Sequence, residues 1–168
     1  VSVHGNFDAA QSGVKEIFND KEFIDYLSAN NIQLSSANSI NIGRLVPQIV
    51  YYVYSYLKLV REKEIKEGEL INICVPTGNF GNILAAYIAK LMGLPVNKLL
   101  CASNDNKVLY DFFNNGVYDK KREFILTSSP SMDILISSNL ERLLYLAADM
   151  NSGKIKELMK GLLEKGEY

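Results

Sequence analysis

The chain predicts an α/β fold built on a mostly parallel sheet, and three features carry that reading. Short apolar runs at 70–75 (LINICV) and 98–102 (KLLCA) alternate with stretches of helical periodicity. The connections between strand-like runs are long enough for right-handed crossovers and too long for hairpins. A helix stop, Gly93 followed by Leu94 and Pro95, separates one strand-helix unit from the next.

Taken in order, residues 8–27 place Val14, Ile17, Phe18, Phe23, Ile24 and Leu27 at helical spacing. Asn19 and Asp20 form a break and a fresh cap, so two short helices are predicted. Residues 32–37 (IQLSSA) alternate and are bounded by asparagines, the pattern of a strand. From Ser39 a long helical stretch begins, started or kinked by Pro47. Its section 47–59 is apolar nearly all round, which predicts burial between layers. Strand 70–75 leads through PTGNFGN into helix 82–92. Strand 98–102 leads through Ser103, Asn104 and Asp105, read as a cap, into a helix to about Asn114 closed by Gly116. A strand at 123–126 (EFIL) and helices at 134–149 and 154–165 complete the pattern.

Composition excludes several functions. Eighteen basic against nineteen acidic residues leave a net charge of -1, with no basic run dense enough for a nucleic-acid backbone. No apolar run reaches the roughly eighteen residues of a membrane span. The first residues lack the pattern of a signal peptide. Cys74 and Cys101 lie in apolar strand-like runs, read as buried thiols in a reducing compartment, so a soluble cytoplasmic protein is expected. The lone His4 removes two-histidine metal sites and any histidine relay to Ser128 or Ser131.

PTGNFGN carries the chemistry. It lies at the carboxyl end of a predicted parallel strand, where such folds bind ligands, and Gly78 and Gly81 let backbone amides converge at a helix start. That makes a cradle for an anion, phosphate above all. The loop ends Gly81-Asn82, without the Gly-Lys-Ser/Thr of a nucleotide P-loop, and two glycines fall short of a dinucleotide fingerprint. Spacing alone leaves a plain tight turn equally open. Ser39, Asn41 and Arg44 gather hydroxyl, amide and guanidinium in a pattern suited to a second phosphate, with helix capping and a surface arginine as the simpler reading. Residues 129–133 (SPSMD) precede another predicted helix, either facing the same cleft or forming a turn and cap.

Together the blocks SANSINIGRLVPQIVYY, VPTGNFGNILAAYIAKLMGLP, SNDNKVLYDFFNNGVYD and SPSMDILISSNLERLLY, with GNFDAAQSGVK before them, resemble successive segments of threonine synthase. That family uses pyridoxal 5'-phosphate to make threonine from O-phosphohomoserine. The resemblance implies a three-layer sandwich around a twisted, mostly parallel sheet, part of the large cofactor domain of fold type II. It implies that Thr77, Gly78, Asn79, Phe80, Gly81 and Asn82 hold the cofactor phosphate and that Ser39, Asn41 and Arg44 meet the substrate phosphate. The family's Schiff-base lysine lies in a Phe-Lys-Asp block that does not occur here, and Lys107 belongs to a different block, so no catalytic residue is assigned. Residues 1–168 are then expected to be a middle segment of a larger polypeptide, inactive alone, partnered by the rest of that chain, with some apolar surface uncovered. A non-catalytic module binding a phosphorylated metabolite and another fold type II lyase are the alternatives.

Overall fold

The computed structural model describes residues 4–5, 7–37 and 41–168. The chain divides into two compact units, Val1–Ala37 and Asn38–Tyr168.

In the first unit, helices α1 (Phe7–Asn19) and α2 (Lys21–Ala29) meet at Asp20, whose carboxylate accepts the Phe23 amide at 3.0 Å and caps α2 as its position predicts. Asn31 follows in the left-handed region, and the Ile32 amide turns back to the Leu27 carbonyl at 2.9 Å. That bond commits the start of 32–37 to the helix end. No strand pairs with the segment among the described residues, so the expected strand is irregular backbone instead.

The second unit begins with α3 (Ile42–Leu45), a 3-10 turn (Val46–Gln48) and α4 (Ile49–Arg61). Pro47 falls in the first turn of the 3-10 piece and divides the expected long helix there. Strand β1 (Ile71–Pro76), helix α5 (Gly81–Leu91) and strand β2 (Val96–Ala102) form the predicted parallel crossover. Ile73 stands opposite Leu99, Val75 opposite Cys101 and Pro76 opposite Ala102. The register slips between Ile71 and Ile73, where the Asn72 side chain accepts from the Asn97 side chain and the Lys98 amide. Then come α6 (Val108–Asn115), a 3-10 turn (Pro130–Met132), α7 (Leu140–Ala147) and α8 (Ser152–Glu164).

The core joins Leu45, Val75, Phe80, Ile83, Leu84, Val108, Leu109, Tyr118 and Leu140. Alanines 85, 86 and 89 are fully buried along α5, which lets its neighbours approach closely. Tyr118 and Tyr168 stack at 5.2 Å and exchange backbone hydrogen bonds in both directions, pinning the end of the chain.

Several expectations fail in this unit. Segment 123–126 is not a strand: Asn106 supplies the partner that a neighbouring strand would, accepting from the Ile125 amide at 2.9 Å and donating to the Ile125 carbonyl at 2.6 Å. The helix expected from 134 begins at Leu140, because the polar groups of 137–139 are committed to the loop after β1. Helix α4 is not buried all round. Tyr56 is enclosed and Tyr52 partly so, while Val50, Tyr51, Tyr54 and Leu57 are each more than half exposed. Cys74 is exposed and Cys101 half-buried, since one strand face is open among the described residues.

Candidate functional site

The loop between β1 and α5 is built by its neighbours in sequence and space. The Thr77 amide continues the ladder to the Ala102 carbonyl at 2.7 Å, and its hydroxyl returns to the Val75 carbonyl at 2.7 Å. Phe80, the residue before α5, sits in the left-handed region with φ 64°, strained for a residue with a side chain. Its buried ring, 6.0 Å from that of Phe113, anchors the conformation. Phe80 offers no side-chain cap to the helix. Among the described residues, the backbone amides of Gly78, Asn79, Phe80, Gly81 and Asn82 meet no protein acceptor. Amides without acceptors at the start of an eleven-residue helix are donors of the kind that suit an anion.

Two walls hold this loop. On one side runs the strap from Ser131 to Asn139. A Cβ on Gly78 would lie 3.2 Å from the Ser131 carbonyl and 3.4 Å from the Met132 Cα, so a side chain there would force the strap to give by a few tenths of an ångström. The Ser137 hydroxyl donates to the Gly78 carbonyl at 2.7 Å, and the Asn139 amide and side chain both donate to the Asn79 carbonyl, at 3.1 and 2.9 Å. The Ser138 hydroxyl meets the Asn79 side chain at 3.2 Å. On the other side, Asn82 donates to Gln48 Oε1 at 2.8 Å and accepts the Tyr52 hydroxyl at 2.5 Å. Burial pushes the Tyr52 phenol up to about 12, so it stays a donor across the neutral range.

Gln48 also donates to the Arg44 carbonyl at 2.9 Å, which links the α3 segment to the start of α5. Asn41 caps α3, its side-chain oxygen accepting the Gly43 amide at 2.8 Å, and Arg44 is exposed in the same short helix. The structure therefore brings residues 77–82 into one loop, with the donors of Thr77 already spent and the amides of 78–82 open, and ties α3 to its edge. Ser39 lies outside the described residues.

The block 129–133 is a 3-10 turn ending in buried Asp133, which holds the strap from behind. Its carboxylate accepts from the Thr127 amide and hydroxyl at 2.9 and 2.7 Å and from the side chains of Asn104 and Asn106 at 2.6 and 3.2 Å. The Thr127 amide leads these donors in holding the Asp133 carboxyl below the usual range. The cap expected from Ser103, Asn104 and Asp105 accordingly does not form: the Asn104 side chain is spent on Thr127 and Asp133, and α6 starts at Val108 without a side-chain cap.

Gln48, Tyr52, Ser137 and Asn139 were not singled out from the sequence, although they hold the loop most directly. The cue for two of them was a run of three small polar residues, Ser137 to Asn139, in an otherwise apolar stretch. The Phe80 side chain, with Ile83, Tyr87, Leu99, Cys101, Phe113 and their neighbours, lines an apolar hollow of about 510 Å³ with no charged side chain in its wall. Burial pushes the Cys101 thiol up, which keeps it protonated and unreactive. Among the described residues no helix is long and apolar enough to cross a membrane and no cluster of metal-ligating side chains occurs.

The fold is α/β around a parallel crossover, and comparison with known proteins, which matches it to solved threonine synthases, assigns it to part of a fold type II domain. The chain is homologous to a segment of the threonine synthases and threonine synthase-like proteins. It is 51% identical over 164 residues to human Threonine synthase-like 1, covering 96% of this chain and 22% of that protein. It is 44% identical over 163 residues to Threonine synthase of Saccharomyces cerevisiae, covering 92% of this chain and 30% of that protein. The crystal structure of PLP-bound threonine synthase from Brucella melitensis superposes with a TM-score of 0.82 at 46% identity, over 99% of this chain and 34% of that one. The chain thus spans about a third or less of the relatives it matches. No protein-family model matches it.

Proposed function

We propose that these residues form the phosphate-holding part of a threonine synthase, whose complete polypeptide converts O-phospho-L-homoserine and water to L-threonine and phosphate with pyridoxal 5'-phosphate. The observation that carries the reading is the cradle at 77–82, with its free amides, the left-handed Phe80 and a Gly78 position that any side chain would fill. Gly78, Asn79, Phe80, Gly81 and Asn82 hold the cofactor phosphate through their amides, and Thr77, expected among them, fixes the start of the loop instead, its amide and hydroxyl being spent on Ala102 and Val75. A dianion fits a ring of amides at a helix start, where neutral donors balance its charge without an ion pair. Ser39, Asn41 and Arg44 receive the phosphate of the substrate, Arg44 through its planar fork of donors.

When bound, the pyridine ring of the cofactor would supply an electron sink for proton loss at the substrate's Cα and Cβ, which lets phosphate depart from Cγ in the carbon-oxygen cleavage of a lyase. These residues bind and orient. The loop fixes the ring's position through its phosphate, and Tyr52 and Gln48 keep Asn82 in place at the rim. The lysine that carries the cofactor and moves protons comes from outside residues 1–168, which are part of a larger cofactor domain completed by the rest of the same polypeptide. The unpaired thiols of Cys74 and Cys101 support a cytoplasmic protein.

A second reading rests on the higher identity to Threonine synthase-like 1 than to the yeast threonine synthase. In it the cradle binds a phosphorylated ligand without forming threonine. The two are separated by assaying the complete polypeptide, loaded with pyridoxal phosphate, for threonine and inorganic phosphate from O-phosphohomoserine. Equal release of both supports the synthase; saturable binding without threonine supports the second reading. The isolated chain is expected to make no threonine, and borohydride reduction with pyridoxal phosphate is expected to label none of its lysines stoichiometrically.

A further inference from the structure

We infer that Ser137 and Asn139 are positioning residues of the phosphate cradle, acting through the peptide planes of the loop. The inference rests on the phosphate reading above and goes beyond it to residues that touch no ligand. The described residues contain no cis peptide bond, so in each loop peptide the carbonyl and the following amide point in opposite directions. Ser137 Oγ holds the Gly78 carbonyl from the strap side at 2.7 Å. The Asn79 amide, in the same peptide plane, is thereby turned away from the strap. Asn139 holds the Asn79 carbonyl from that side with two donors, at 3.1 and 2.9 Å, and so turns the Phe80 amide away as well.

Both holding groups are themselves fixed. The Ser137 amide donates to the Tyr118 hydroxyl at 2.7 Å, and that hydroxyl donates to the Leu135 carbonyl at 3.0 Å. Asn139 is fully buried, and its side-chain oxygen accepts from the Arg142 guanidinium. The amide orientation that receives an anion is therefore set before the anion arrives, in spite of the left-handed strain at Phe80. Hydrogen bonds on the carbonyl side also polarise each peptide and strengthen its amide as a donor. A purely structural role for the same contacts would stabilise the loop without favouring phosphate over any other ligand chemistry.

The test compares pyridoxal 5'-phosphate with pyridoxal, which lacks the phosphate, as ligands of the complete polypeptide. Dissociation constants are measured for the parent protein and for Ser137→Ala, Asn139→Ala and Ser137→Thr, with melting temperatures alongside. The parent is expected to prefer the phosphorylated form. Ser137→Ala is expected to reduce that preference about fivefold and Asn139→Ala about tenfold, the size of one net hydrogen bond each. Affinity for pyridoxal should hold, and Ser137→Thr, which keeps the hydroxyl, should restore the preference. An unchanged preference in folded Ser137→Ala, whatever its melting temperature, would overturn the inference. A parent protein that binds both ligands equally would instead overturn the phosphate reading itself, and the inference with it.

Discussion

Two strand-to-helix junctions in this molecule have similar sequences and opposite fates. After β1, the loop 77–82 contributes an asparagine on each side of Phe80-Gly81. After β2, the connection 103–107 contributes Asn104 and Asn106. In the second, both asparagine side chains are consumed by Asp133 and Ile125, and the junction is a closed hydrogen-bond network. In the first, the neighbours grip the carbonyls and leave the amides open. An amide-rich loop thus keeps donors open for a ligand only where its own partners take the acceptors and spare the donors.

The largest effect on this contrast is expected from Gly78→Val. Its Cβ would press on the Ser131 carbonyl, so the strap must move. A fall in stability of about 1–3 kcal/mol is expected by denaturant titration, and pyridoxal phosphate affinity should fall up to about 100-fold by spectrophotometric titration. At the closed junction, Asp133→Ala leaves the donors of Thr127, Asn104 and Asn106 without their acceptor. A melting-temperature fall of about 5 °C or more is expected by calorimetry, larger in proportion than any change in phosphate affinity.

The same residue gives a pH dependence. Because the folded protein holds the Asp133 carboxyl below its ordinary value, its contribution is complete above about pH 4, the unfolded value, and is lost as pH falls through the folded one. Acid melts of the parent should show that loss, and Asp133→Asn should flatten it. Next in size is Tyr52→Phe, which removes the hydroxyl from Asn82 and is expected to lower stability by about 1 kcal/mol. The raised Tyr52 phenol contributes fully below about pH 10, and that contribution is lost as pH rises toward about 12. The alkaline arm of the stability curve should therefore weaken in the variant, leaving the share due to Tyr168, whose phenol burial also pushes up. The smallest effect belongs to Lys58→Ala on exposed α4. Its 3.8 Å pair with Glu62 lies in solvent, and a change under about 0.5 kcal/mol is expected.

The parallel crossover was legible because its signals are local. The apolar runs of β1 and β2, the Gly93-Leu94-Pro95 stop, the Asp20 cap and the left-handed Gly116 each act within a few residues. What failed depends on distant partners. The apolar run at 123–126 reads as a strand, but a side chain, Asn106, takes the place of a second strand. The late start of α7 follows from contacts to Gly78 and Asn79 made some sixty residues away. The loop itself was readable as PTGNFGN at a strand-to-helix junction, while the groups that hold it, Gln48, Tyr52, Ser137 and Asn139, come from separate elements whose proximity no spacing reveals.

The central claim is that the amides of 78–82 receive the cofactor phosphate. The direct measurement is an amide nuclear magnetic resonance titration of the labelled complete polypeptide, with pyridoxal 5'-phosphate and with pyridoxal. The account predicts saturable shifts at Gly78, Asn79, Phe80, Gly81 and Asn82 with the phosphorylated ligand and little change there with pyridoxal. Shifts confined to other residues, or the same shifts at these amides with both ligands, would contradict it.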